Sequence, residues 1–559
     1  MSTDTIDDLF RRLEKLNEIG AALSREQDID RLLEFILVSA KTITRAQGGT
    51  LYRIIKVVGE DGKEERHLHF EILHNDEFER RGDPGRPGRQ GGTSGNPINL
   101  KTIPLYVGDG ENHANVAAHA ALRGETVNIA DAYTAAGFDF SGTRKFDEIN
   151  GYRSRSFLTV PMRNHENEII GVLQLINCLE PQTGTVVPFS TADQRLAESL
   201  ASQAAIALTK RQLISQLEEL FESFIKLINL AIDEKSEYTA GHCERVPELT
   251  MMLAEAASAT EDGPLAAFHM TDRDRYELKI AGLLHDCGKV TTPVHVVDKA
   301  TKLQTLYDRI HTLDTRFEVL KRDAEIEMLK RRLALPEPRD AAAEAALRRD
   351  FEAGLAQLED DRDFLRRVNI GGEFMKDADL ERVRAIGKAY RWRGASGRET
   401  DFLSGDEIEN LSIRKGTLNR TERKIINDHI RITIEMLEKL PWPKHLTNVP
   451  EYAGGHHERM DGKGYPKGLT REEMSWQARV MGIADIFEAL TAGDRPYKTG
   501  KTLSESLFIL GKMKEEGHID PDLFDVFVRR GVYLQYAREK LDPQQIDEVD
   551  LNRLPGYLP

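Results

Sequence analysis

Apolar and polar positions follow different periods in different stretches of this 559-residue chain, and each period marks a different kind of segment. Through residues 4–46, Leu9, Phe10, Leu13, Leu16, Ile19 and Leu23 keep helical spacing with no proline among them, which predicts helix. From 48 to 180 the character changes. GTLYRIIKVV, RHLHFEIL, ETVNIA, SFLTVPMR and EIIGVLQLIN are β-rich runs separated by turn-formers. Gly82 to Pro97 is rich in Gly and Pro but lacks the strand, helix and GK[ST] frame of a phosphate-cradling loop, so a mobile surface loop is expected.

Ala192 to Asp233 contains neither Gly nor Pro and predicts one long helix. Within it Leu213, Leu217, Leu220, Phe224 and Leu227 recur at 4-3-4-3 spacing, a coiled-coil seam of about two heptads that favours a parallel dimer stalk. Residues 233–310 and 412–535 return to helical periodicity with short Gly/Pro breaks. Between them, about 312–411 is charged and Ala/Leu-rich, broken at Pro336 and Pro338, and predicts an antiparallel helical hairpin inserted into a helical domain.

Composition narrows the class. A chain this long exceeds one hydrophobic core, so two or three domains are expected. A net charge of -16 disfavours DNA, RNA or anionic membrane as partners. Cys178, Cys243 and Cys287 lack CxxC spacing, which gives neither a disulfide framework nor a zinc knuckle and suits a reducing cytoplasm. No apolar run reaches the ~18 residues of a membrane span, and the acidic N-terminus does not resemble a signal peptide.

The densest chemistry is His456-His457-Glu458-Arg459-Met460-Asp461-Gly462-Lys463-Gly464-Tyr465-Pro466. Polar residues at this density need solvent or a ligand. Upstream, His242 follows a Tyr-Thr-Ala-Gly turn, and His285-Asp286 ends an apolar helix with Lys289 one turn later. Downstream, Asp485 sits in the apolar helix ARVMGIADIFEALTA, where a buried carboxylate needs a strong partner. His429, His311 and His445 compete for a further place in the cluster. Imidazoles with a few carboxylates suit Fe, Mn or Zn. An Asp able to bridge, with histidines on both sides, suits two ions about 3.5–4 Å apart, which serve in-line attack on a phosphodiester.

These residues carry a resemblance. His242, His285-Asp286 and Asp485 resemble the HD phosphohydrolase superfamily, and HHERMDGKGYP resembles its HD-GYP subfamily, bacterial phosphodiesterases of the second messenger cyclic di-GMP. The likeness covers roughly 233–310 and 412–510. It implies an all-α domain holding two divalent ions, Fe or Mn, on His242, His285, Asp286, His429, His456, His457 and Asp485, with Asp286 bridging. It further implies Lys289 beside the attacked phosphate, with Tyr465, Arg495 and Lys498 on the nucleotide. The lead-in GTLNRTERKIINDHIRITIEML favours His429 over His311, although 144 positions separate it from His285. Ser236, beside Glu237, stands where the family often has the Asp of DxxTxxH, which speaks against a third metal.

Further upstream, VNIADAY (127–133), GYRSRSFLTVPM (151–162) and GVLQLIN (171–177) resemble a GAF domain over about 20–210, an antiparallel α+β sensor fold that often binds a small ligand. Asn177, Phe189 and Asp193 resemble part of the NKFDE motif of cyclic-nucleotide-binding members. Cys178 and Gln194 replace its Lys and Glu, so its ion pair cannot form. The expected layout is a GAF domain at 1–192, a linker helix at 193–232, an HD-GYP domain at 233–535 with its insertion, and a tail at 536–559. The expected activity is hydrolysis of cyclic di-GMP to pGpG or GMP by a cytoplasmic homodimer under GAF control. Hydrolysis of another cyclic dinucleotide, and a receptor that binds without turnover, are the alternatives.

Overall fold

The computed structural model describes residues 3–558 except 27, 59–61, 82–87, 109, 236–240, 337–339, 373, 395–396 and 494–499. They form two compact units, divided at Leu220/Phe221 within a single helix, Thr191–Asp233.

The first unit is α+β. Its sheet runs in the order Arg89–Gly91, Glu64–Asn75, Ala46–Val58, Ile169–Leu179, Phe157–Arg163, Val127–Ile129, with every pairing antiparallel. Period-two alternation sorts the faces. Leu173 and Leu175 turn toward one core with the helices Thr3–Leu23 and Ile29–Thr44 and the start of Thr191–Asp233, which adds Leu196, Leu200 and Ala204. Val172 turns the other way, under the helix Val116–Arg123 with Tyr52 and Leu68.

Two expectations need correction here. The segment 4–46 is two helices, because Ser24 to Asp28 offers nothing apolar to the core and the Asp28 carboxylate accepts the Arg31 amide at 2.9 Å, starting a new helix. The Gly82–Pro97 stretch, of which 82–87 lie outside the described residues, is not simply a loop. Arg89–Gly91 pairs with Ile72–His74, and Arg89 bridges Glu34 at 3.3 Å and Glu79 at 3.1 Å. The residues resembling NKFDE hold the fold together. Asn177 donates to Gln47 at 3.1 Å and to the Tyr152 hydroxyl and the Arg153 carbonyl at 2.9 Å each, while Asp193 pairs with Arg12.

The second unit is built on helices packed around one large core, among them His242–Ser258, Asp272–Leu284, His429–Glu438, Val449–Gly454, Trp476–Thr491 and Pro521–Arg529. The insertion is more than a hairpin. Ile310–Leu333 and Ala341–Asn369 do run antiparallel, tied by Arg366–Asp314 at 2.6 Å and Arg332–Glu344 at 2.6 Å. Asp377–Ala389, a small β-ribbon and Gly405–Leu411 then close a separate core around Phe317, Phe364 and Phe402. Nor is 536–559 an appended tail. Tyr536 and Ala537 are buried within the helix Val532–Lys540, and Leu554 packs in the main core.

Candidate metal centre

Five separate elements converge on one buried cluster. His242 opens the helix His242–Ser258, and His285 closes Asp272–Leu284, delivering Asp286 into the turn that follows. His429 opens His429–Glu438, His456 and His457 follow the short helix Val449–Gly454, and Asp485 lies midway along Trp476–Thr491. Gly288 lets the His285–Asp286 turn dock, since a Cβ there would lie 2.0 Å from the His429 carbonyl oxygen. Its amide instead donates to Thr433 Oγ1 at 2.9 Å.

Backbone carbonyls fix how the imidazoles point. His285 Nδ1 lies 2.6 Å from the Gly282 carbonyl, His429 Nδ1 2.5 Å from that of Ile426, and His456 Nδ1 2.7 Å from that of Ala453. A carbonyl only accepts, so each Nδ1 carries the proton and each Nε2 presents a lone pair to the cluster. There the imidazoles converge on the Asp286 carboxylate. His242 Nε2 and His285 Nε2 approach its Oδ2 at 3.1 and 3.2 Å, and His429 Nε2 approaches Oδ1 at 3.2 Å. Asp485 Oδ1 is 3.3 Å from His242 Nε2.

This arrangement fits cations. His429 Nε2, His456 Nε2 and Asp286 Oδ1 are all buried without a hydrogen-bond partner. Acceptor faces acceptor, an arrangement that is unfavourable unless a positive charge sits between them. The ligand atoms fall into two groups, His242/His285/Asp286 and His429/His456/His457, each within 4.8 Å. Asp286 turns one oxygen to each group.

The same enclosure shifts ionisation. Burial, with His429 beside it, pushes the His457 imidazole down to about 4, and burial with His457 and His285 holds His456 well below its ordinary range. For His242, burial opposes protonation, but hydrogen bonds to Asp286, Asp485 and Glu488 raise it well above the usual imidazole. Burial opposes charge on Asp485 too, yet His242 and the other histidines hold it far below the ordinary carboxylate. Lys289 is raised despite burial because its Nζ sits 2.5 Å from Asp286 Oδ2.

Tyr465 stacks on His457 with ring centroids 4.9 Å apart, and burial raises its phenol to about 12. Gly464 makes that approach possible, since a Cβ would lie 2.4 Å from the Glu458 Cα. His311 is 74% exposed and His445 is also exposed, so neither joins the cluster. Arg495 and Lys498, and with them Ser236 and Glu237, lie outside the described residues.

Two contributors escaped the sequence reading. Glu488 accepts from His242 Nδ1 at 2.5 Å and from Arg245 Nε at 2.7 Å, orienting the imidazole from behind. Its signal was a second acid one helical turn after Asp485 in an otherwise apolar helix. Glu458, buried inside the HHE run, accepts the amides of Lys467 at 2.7 Å and Leu469 at 2.9 Å and so fixes the loop bearing Tyr465.

Residues 28–208 match the GAF domain family, and residues 239–379 and 404–523 match two HD domain families. The chain is 37% identical over 124 residues to a 3'3'-cGAMP-specific phosphodiesterase of Vibrio cholerae serotype O1, covering 22% of this chain and 27% of that protein. It is 39% identical over 95 residues to a cyclic di-GMP phosphodiesterase of Pseudomonas aeruginosa, covering 17% and 22%. It is 32% identical over 128 residues to a cyclic di-GMP phosphodiesterase response regulator of Xanthomonas campestris pv. campestris, covering 23% and 33%. The chain thus spans a third or less of these relatives. It is a GAF domain followed by an HD domain whose relatives are cyclic dinucleotide phosphodiesterases.

Proposed function

We propose that the chain is a two-metal phosphodiesterase that opens cyclic di-GMP to pGpG and then GMP, under the control of its GAF domain. The observation that carries the reading is the buried set of unpartnered acceptors around Asp286, which turns one carboxylate oxygen to each of two ligand groups. His242, His285 and Asp485 would hold one ion, and His429, His456 and His457 the other, with Asp286 shared. Two such ions, Fe or Mn, supply Lewis acidity for activating water and neutralising phosphoryl oxygens.

The chain's own residues do the rest. Nδ1–H bonds to backbone carbonyls hold the ligand nitrogens in place before substrate arrives. Lys289, partly exposed beside Asp286, is positioned to steady charge on the phosphate and the departing 3′ oxygen. Tyr465, its phenol kept protonated, offers a donor and a ring face to the nucleotide, with Arg495 and Lys498 as cationic contacts. No helix of the described residues is long and apolar enough to cross a membrane, which accords with a cytoplasmic enzyme.

Protein loaded with Mn is expected to bind two equivalents and to convert cyclic di-GMP to linear product, followed by anion-exchange chromatography. Metal-loaded protein that binds the dinucleotide without turnover would sink the reading. The similarity to a 3'3'-cGAMP-specific enzyme favours a second substrate, so kcat/KM for the two dinucleotides should be compared directly.

A homodimer belongs to the same proposal. Leu213, Leu217, Leu220, Phe224 and Leu227 stay 51–66% exposed along the linker helix, an apolar seam with heptad spacing. Replacing Leu217 and Phe224 together by Lys is expected to give a monomer in sedimentation equilibrium. A dimer that persists in that variant would place the interface elsewhere.

A further inference from the structure

The last turns of the helix Thr191–Asp233 hold the main chain from which the candidate ligands project. Asn229, buried, donates Nδ2–H to the Leu283 carbonyl at 2.8 Å, two residues before His285. Lys235, just past the helix, donates from Nζ to the Lys289 carbonyl at 3.2 Å and also to that of Val290. Asp233 Oδ2 accepts the Gly241 amide at 3.3 Å, next to His242. Ile225 and Ile232 anchor this stretch in the catalytic core.

The recipients explain the chemistry. Asp272–Leu284 ends at His285, so the Leu283 carbonyl belongs to a helix terminus that lacks intrahelical partners, and the Lys289 and Val290 carbonyls fall in the turn beyond it. Asn229 from a different helix satisfies the Leu283 carbonyl, and Lys235 beyond that helix supplies a donor to the Val290 carbonyl and to that of Lys289, which also accepts the Thr292 amide at 3.0 Å. Stability alone does not account for Asn229, because its Oδ1 is buried with no hydrogen-bond partner, which an apolar residue at the same place would avoid. The same 43-residue helix buries Leu196, Leu200 and Ala204 in the core of the first unit.

We infer that Asn229 and Lys235 are positioning residues that set where His285, Asp286 and Lys289 project, and that the linker helix acts on the metal centre through them. The inference rests on the phosphodiesterase reading. A helix displaced along its axis or turned about it draws these two donors away from three carbonyls at once. The ligands on the far side, His429, His456 and His457, have no such tie to the helix among the hydrogen bonds of the described residues.

The test uses the full chain with Asn229→Leu, Lys235→Met and the conservative Lys235→Arg. Mn binding to the metal-free protein is measured by calorimetry, kcat and KM on cyclic di-GMP, and thermal unfolding alongside. Asn229→Leu and Lys235→Met are expected to weaken one of the two Mn equivalents about 10-fold and to lower kcat by a similar factor at unchanged KM. Lys235→Arg, which keeps a donor, should recover most of both. Variants that bind both equivalents as the wild type does overturn the inference, whatever their melting temperature. An inert wild type overturns the phosphodiesterase reading instead, while Mn affinity still decides the positioning role. Should one variant fail to fold, the other supplies the same comparison.

Discussion

Asp286→Asn is expected to abolish binding of both metals and to lower turnover on the order of 10³-fold or more, while leaving the protein folded. Asp286 is the residue whose two oxygens face His242 and His285 on one side and His429 on the other. An amide has no charge and only one acceptor oxygen, so it cannot serve both groups. It can, however, donate to an imidazole lone pair, giving a buried acceptor such as His429 Nε2 the partner it lacks. Against that gain, the metal-free variant loses the carboxylate that favours the charged forms of Lys289 and His242, so it should unfold somewhat below the metal-free wild type while remaining folded at ambient temperature. His311→Ala, at an exposed position on a helix of the insertion, should change neither metal content nor rate. Two metal equivalents retained in Asp286→Asn, by elemental analysis, would refute the shared-ligand assignment.

The cluster was legible because its residue types are costly to bury without cause. His285-Asp286 and the HHE run placed five polar side chains in or beside apolar helices, a conflict that a shared ligand would relieve. The strands of the first unit were legible as β-rich runs bounded by turn-formers, although the strand Ile169–Leu179 has core on both faces, with Leu173 buried on one and Val172 on the other. The break at Ser24–Asp28 was not, because helical spacing on its two sides happens to keep phase and only a cap at Asp28 divides them.

The insertion and the linker were read as shapes without their contacts. Charged faces of Ile310–Leu333 and Ala341–Asn369 gave the hairpin, but the core around Phe317, Phe364 and Phe402 draws on residues scattered from Leu303 to Leu411 with no common period. Asn229 and Lys235 were invisible for the same reason. Each meets a backbone carbonyl more than 50 positions away, and a backbone partner leaves no trace in residue type.

Glu488 shows how much such a hidden contact can matter. It takes the Nδ1 proton of His242 on one oxygen and the Arg245 guanidinium on the other, and it is almost wholly buried. Glu488→Ala leaves the buried Nδ1 of His242 without the acceptor it has in the wild type and removes the carboxylate from Arg245. Its expected cost is about 3–5 kcal/mol in urea unfolding. Glu488→Gln separates orientation from charge. Its amide oxygen can still accept from His242 and hold the ring, so stability should fall much less, yet the neutral group no longer raises the basicity of the ligand nitrogen. Metal affinity at the His242 site is then expected to drop about 10–100-fold, measured by competition with a chromogenic chelator, with the second equivalent unaffected. If Glu488→Gln bound both equivalents as tightly as the wild type, Glu488 would be a structural partner of Arg245 and no more.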